Sequence, residues 1–361
     1  MGADVAGDAL RLALPRSAAE RMLEAARLIF ALKRNPVWLA HLEPMLPAAA
    51  RVTPDQPSLL MGYDFHLTDD GPRLIEINNN AGGLFQRGEW LPQPTWRVWH
   101  EPLEARLRAM FPPSWRRLAI VDAAITEQPM YPEMAAYARL LEAEGRTVRL
   151  CTPEEIEGGA EGLFLHGMRI DAIYNRHTDF YLESPEMAAI RAAFTAGTVA
   201  LNPHPRSYAL IGDKGRLADI WLPGLLEEAL PAAEVAAIRA LVPPTLRMRD
   251  RDPDWWWRRR KQWVFKPTAR HGGKGVMRGG DISRARFARL DLDDMVAQQL
   301  VPPGRVEVDG VSFKADFRLY MHGATPIALA GRIWRGAVTN FRHPGSGWAV
   351  VELTEQGGQG R

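Results

Sequence analysis

The stretch that decides the fold is "RLIEINNNAGG", residues 73–83. Leu74, Ile75 and Ile77 mark a strand, and the chain breaks at the pair Gly82–Gly83. Glu76 and Asn78 stand two positions apart, so on a strand they point to one face. Oxygen donors at a strand end suit Mg²⁺, which accepts one or two carboxylates and completes its shell with water and nucleotide phosphate. Alone, an E-x-N is weak, because polar pairs are common where strands end. Just upstream, "SLLMGYDFHL" (58–67) reads as a second strand, with "TDDGP" as the turn between them. The result is a hairpin with Asp64 on one arm and Glu76 on the other. A metal motif this early precedes any phosphate-binding loop, which must then lie downstream.

The 361 residues are enough for two or three domains. Forty-five basic residues balance 43 acidic ones, which argues against a protein that coats a polyanion. "DPDWWWRRRKQW" (252–263) mixes aromatic and basic residues as nucleic-acid sites do. With so little net charge, a helix with a tryptophan face and a solvated arginine face is the better reading. No nucleic-acid partner is expected. A lone cysteine, Cys151, rules out an intramolecular disulfide and a cysteine-rich zinc site, and fits a reducing cytoplasm. No apolar run reaches membrane-spanning length, and Asp and Arg interrupt the apolar stretches near the N-terminus, so neither membrane nor signal peptide is expected.

Residues 17–50 have helical spacing punctuated by Pro36, Pro44 and Pro47. "RLAIVD" (117–122), a helix ending at Gly145, "TVRLC", a hairpin over "GLFLHGMRI", and "DAIYNR" describe a small α/β domain over about 115–205. It lacks the G-x-G-x-x-G turn of dinucleotide sites. Residues 206–261 read as largely helical. "QWVFKP" (262–267) is a strand that stops at "TARHGGKGVMRGG", where five of 13 residues are glycine. "MVAQQLV" (295–301) is another strand, and "SFKADFRLYMHGATPIALAGRIWRG" reads as two long ones.

Lys266 ends its strand against Gly272, Gly273 and Gly275, whose backbone N–H groups can approach an anion closely. This is not a Walker A loop, and a surface hairpin is an equal reading of it alone. Lys214, at the start of a helix in "LIGDKGRLADIW", would alone be a surface lysine. Asp316 and Arg318 alternate along "KADFRLYM" and share one strand face with Lys314. Arg332 and Asn340 follow on the next strand and its exit.

Taken together, these pieces resemble the ATP-grasp superfamily. "DFR" (316–318), Arg332, "TN" (339–340) and the glycines Gly345 and Gly347 match one part of its ligase motif in order. "GYDFHLTDDGPRLIEINNNAGG" (62–83) looks like the part that should come next, yet it stands near the N-terminus. The order implies an α+β, circularly permuted ATP-grasp fold with an inserted α/β substrate domain. Such permutation occurs in the eukaryotic-type glutathione synthetase family, and the chain resembles it further in "IEIN" (75–78), "YNR" (174–176), Lys214 and "KPTARHGGKG" (266–275). Glutathionylspermidine synthetases share the plan. The resemblance implies four parts: helices and E-x-N strands over 1–110, the substrate domain over 115–205, a lid over 206–300, and core strands over 301–361.

It also implies roles. ATP and Mg²⁺ would be the cofactors, with Asp64, Glu76 and Asn78 on the metal. Lys214, Lys266, Gly272, Gly273, Gly275, Gln299, Val301 and Asp316 would face the nucleotide. Arg332, Arg318, Arg176 and Asn340 would act on the reacting groups, Arg176 by pairing with a substrate carboxylate. The activity implied joins a small-molecule carboxylate to an amine through an acyl phosphate. A small-molecule kinase and a nucleotide binder without turnover are the alternatives. The chain departs from the pattern twice: His271 stands where a metal-binding Glu precedes the lid glycines, and Gln299 where many members carry a Glu.

Overall fold

The computed structural model describes residues 10–268, 275–336, 339, 341 and 343–355. Its centre is a seven-stranded sheet. The E-x-N hairpin, Met61–Thr68 and Gly71–Asn78, pairs antiparallel with Val311–His322, from which about 230 residues separate it. Val311–His322 pairs in turn with Thr325–Trp334, and that strand with Gly347–Thr354. Gly304–Val308 adds to the free stretch of Val311–His322. The far edge is Arg11–Pro15, which runs parallel to Gly347–Thr354. That strand is not expected from the sequence, and it makes the sheet mixed rather than antiparallel. Its five residues alternate between exposed and buried until Pro15 starts the helix Arg16–Leu32.

Alternation divides the sheet into an apolar and a charged face. Tyr63, Phe65, Leu74, Ile77, Phe317, Leu319 and Ile333 join one core with Met22, Leu23, Ile29 and Leu32 of that helix. Each such side chain contributes roughly 1.5–3 kcal/mol on burial. Asp64, Glu76, Asp316, Arg318 and Arg332 necessarily point the other way. Asn35 caps the next helix, Pro36–Leu42, by accepting from the Val37 and Trp38 N–H groups.

The α/β unit has four parallel strands in the order Ala200–Asn202, Ala172–Asn175, Arg117–Val121, Thr147–Cys151. The strand order reverses between Arg117–Val121 and Ala172–Asn175, the position where open α/β sheets form a crevice. Arg176 lies just beyond that point, its N–H donating to the Val121 carbonyl at 2.8 Å. The helical expectation for 206–261 holds in part. Helices Leu225–Ala229, Ala232–Leu241 and Pro253–Arg259 are present, but Thr245–Arg247 is a strand. It edges a four-stranded sheet with Met295–Gln299, Trp263–Pro267 and Met277–Arg278. Trp256, fully buried, anchors the helix Pro253–Arg259 to this sheet, while Arg258 and Arg259 are exposed. That is the tryptophan-face arrangement. Gly272, Gly273, His271 and Asn340 lie outside the described residues, as do the last six positions.

Candidate functional site

A cavity of about 510 Å³ opens where the charged face meets the small sheet and the α/β unit. Its lining has seven lysine and arginine side chains against three carboxylates, Asp64, Glu76 and Asp316. An excess of cations in a concave, partly buried site favours an anionic ligand.

The floor is a ladder of paired charges built by the strand register. Arg318 stands opposite Asp64, Asp64 opposite Glu76, and Asp316 opposite Arg332. Arg318 donates to both Asp64 oxygens, at 2.5 and 2.7 Å, and Arg332 donates to both Asp316 oxygens at 2.7 Å. Arg332 also lies 2.9 Å from Asp64 Oδ2, which receives the Asn78 amide at 3.1 Å as well. Burial pushes the Asp64 pKa up, but Arg318 and Arg332 outweigh it and hold it at about 2. Burial likewise disfavours charged Arg332, and Asp316 and Asp64 reverse the effect, so its pKa is raised. Trp348 lies against both arginines, 5.6 and 5.8 Å from their guanidinium carbons.

The roof is Lys266. It is 6% exposed, and its ammonium donates to the Ile75 carbonyl at 2.8 Å and to Gln298 Oε1 at 2.7 Å. Ile75 is the unpaired residue of a bulge, since the ladder passes from Phe65–Leu74 to Asp64–Glu76. The bulge frees its carbonyl from the sheet. Both direct partners are neutral oxygens rather than carboxylates. Burial therefore lowers its pKa to about 8, despite the pull of Glu76. Glu76 is instead beside Lys214, 3.4 Å from its ammonium.

Of the hinge pair, Gln299 is exposed at the cavity edge, and Gln298 is the buried side chain that reaches Lys266. Val301 lines the cavity and its carbonyl contacts His66 Nδ1 at 2.9 Å. Gly275 is described, with φ of +79°, just past the undescribed part of the loop. His66, Gln298 and Trp348 are absent from the sequence-based site. For His66 and Gln298, strand alternation opposite the apolar residues is the signal that could have found them.

Arg176 reaches the cavity edge, but its contacts are with the loop after the E-x-N strand. It donates to Asn80 Oδ1 and, at 2.9 Å, to the Ala81 carbonyl. Glu133 of the α/β unit takes the Gly83 and Phe85 N–H groups at 2.8 and 2.9 Å. The double glycine has a packing cause. At Gly83, where φ is +106°, a Cβ would lie 1.9 Å from the Trp348 ring; at Gly82 it would lie 2.7 Å from Met130.

Glu76 and Asn78 share a face with Asp64 and offer the oxygen chemistry Mg²⁺ takes. Asp64 Oδ2 already takes three donor contacts and Oδ1 one, so Oδ1 is the oxygen that could join a metal shell. Among the described residues no group of three His, Cys, Asp or Glu side chains forms a ready cation site. Glu76 and Asn78 are the residues that fit.

The fold, a mixed sheet whose charged face is roofed by a second small sheet beside an α/β unit, is similar to that of two solved structures. A glutathione synthetase-like effector from Globodera pallida, in its apo form, superposes with a TM-score of 0.55 over 94% of this chain and 88% of its own, at 12% identity. A putative γ-glutamylcysteine synthetase from Methylobacillus flagellatus aligns over 90% and 85%, with a TM-score of 0.51 and 15% identity. Identities this low establish the fold alone. No protein-family model matches the sequence, and no curated protein matches it. No helix among the described residues is long and apolar enough to cross a membrane.

Proposed function

We propose that this protein is an ATP-dependent ligase that activates a carboxylate as an acyl phosphate for attack by an amine. The observation that carries the proposal is the cavity in which Lys266, Arg318 and Arg332 converge on the E-x-N strand, with Lys214 paired to Glu76 beside it. In this reading the fold is circularly permuted, with 62–78 and 313–341 completing one ATP-grasp sheet and the 115–205 unit inserted as a substrate domain. The second fold relative, named a putative γ-glutamylcysteine synthetase, supports a reaction of this class.

The residues have separable tasks. Lys266 and Lys214 hold phosphate oxygens beside Glu76. Glu76 and Asn78 would hold Mg²⁺, which when bound supplies neutralisation of phosphate charge. Arg332 and Arg318 stabilise charge on the transferring phosphoryl group and on the tetrahedral adduct with the amine. Asp64 and Asp316 keep both arginines aimed while the site is empty. Closure of the roof excludes water from the acyl phosphate. Arg176 positions the loop 79–83, and through it the floor, rather than serving first as a carboxylate receptor.

The test is ADP release measured against panels of carboxylates and amines. Release that requires both, with phosphate as co-product, supports the ligase. A phosphorylated product without amine makes the protein a kinase. Tight Mg·ATP binding with no release makes it a binder.

A further inference from the structure

Beyond the cleft, the segment after the double glycine folds round a second cavity of about 380 Å³. Three tryptophans, Trp90, Trp96 and Trp99, and three prolines wall it. Arg106, from the helix Leu103–Ala109, also lines it. Arg106 is 8% exposed, yet its Nε and Nη1 have no hydrogen-bond partner among the described residues. Its guanidinium carbon is stacked 4.1 Å from the centre of the Trp99 ring. The Trp96 Nε1 is buried and unpartnered too, whereas that of Trp99 donates to the Pro326 carbonyl at 2.9 Å. Glu101, exposed at the rim, attracts Arg106 through space but supplies no acceptor to either nitrogen.

The unused groups are all donors, and one is a charged group nearly out of water, its Nε and Nη1 closed to solvent while the rest of its side chain lines the cavity. A buried charge left unpaired is costly, so the cavity is complementary to an acceptor of negative charge. Flat indole and proline walls favour a flat apolar body beside that charge. We infer that this cavity is a binding site for a small planar carboxylate, its carboxylate on Arg106 and its ring among Trp90, Trp96 and Trp99. The site is separate from the charged cleft, though joined to it by structure: Gln93 Oε1, on the cavity wall, accepts the Leu329 N–H at 2.7 Å, in the strand that carries Arg332. The inference is independent of the ligase reading.

The test uses phenylacetate as probe and neutral phenylacetamide as control, read by calorimetry and tryptophan fluorescence on the full chain. Saturable phenylacetate binding is expected, at least tenfold tighter than phenylacetamide. Arg106→Gln should weaken it at least tenfold, and Lys266→Met, which alters only the cleft, should leave it unchanged. Because Arg106→Gln removes a stacked side chain, Glu101→Gln is the companion variant. It keeps the arginine, removes the rim carboxylate, and should bind phenylacetate at least as tightly as the parent. Absence of saturable binding, equal affinity for the two probes, loss of binding in Lys266→Met, or loss in Glu101→Gln overturns the inference.

Discussion

The floor and the roof of the cleft bury cations in opposite ways. On the floor, Arg318 and Arg332 interlock with Asp64 and Asp316, so each charge is matched by another. In the roof, Lys266 is as buried, yet it meets only a carbonyl and an amide oxygen. The floor resists change because removing any member strands the rest. The roof holds a proton that its surroundings half reject. The difference separates a fixed electrostatic frame from a group ready to exchange a weak partner for a phosphate.

The comparison breaks most readily at Asp64. Asp64→Ala leaves two buried arginines with one carboxylate, and should cost about 3–5 kcal/mol in urea denaturation. A cost below about 1 kcal/mol would mean that the ladder is not coupled. Gly83→Ala comes next. Its methyl group meets the Trp348 ring at 1.9 Å with φ at +106°, and should cost about 2–4 kcal/mol. Gly145, at φ of +79° with nothing near it, is the control, since Gly145→Ala carries only backbone strain of about 1 kcal/mol.

The roof should respond differently. Lys266→Met should lower nucleotide affinity at least roughly tenfold, measured by calorimetry, and should move stability less than Asp64→Ala does, because removing a half-rejected charge offsets the hydrogen bonds that Ile75 and Gln298 lose. Its pH dependence sharpens the contrast. The folded pKa lies near 8, lowered from 10.5. Between those values the unfolded chain holds more protons, so this lysine's contribution to stability rises with pH; its burden is full below about 8 and gone above about 10.5. Phosphate binding runs the other way, because the ammonium is lost as pH rises. Nucleotide affinity should fall roughly tenfold between about pH 7.5 and about pH 9 and stay flat in Lys266→Met. The smallest stability effect belongs to Glu76→Gln, under about 1 kcal/mol, since its pair with Lys214 is long and partly exposed. Its Mg²⁺-dependent gain in nucleotide affinity should nevertheless disappear; an undiminished gain removes Glu76 from the metal.

Much of this arrangement is legible in the sequence. The alternation in "KADFRLYM" and "GYDFHL" assigns Asp316, Arg318 and Asp64 to a polar strand face, because a side-chain period of two leaves them no other side. The E-x-N strand, the lysine before a glycine-rich loop and the strand–helix–strand pattern are equally local. The pairing of Met61–Thr68 with Val311–His322 answers to the order of the matched motifs rather than to any local pattern.

Partnership is not local, and only the tertiary structure decided it. Nothing near Lys266 in sequence announces that a bulge at Ile75 will free a carbonyl for it, or that the Gln298 side chain will reach its ammonium. Arg176 reads as a free receptor until the loop at Asn80 and Ala81 is packed against it. The double glycine reads as a strand break until Trp348 lies across it. Arg11–Pro15 looks like the approach to a helix because a strand of five residues draws its stability from the neighbour it pairs with, here some 340 residues away. A residue's chemistry and its face are set by its near neighbours in the chain, whereas the groups that satisfy its charge are set by which distant segments the fold brings within about 3 Å.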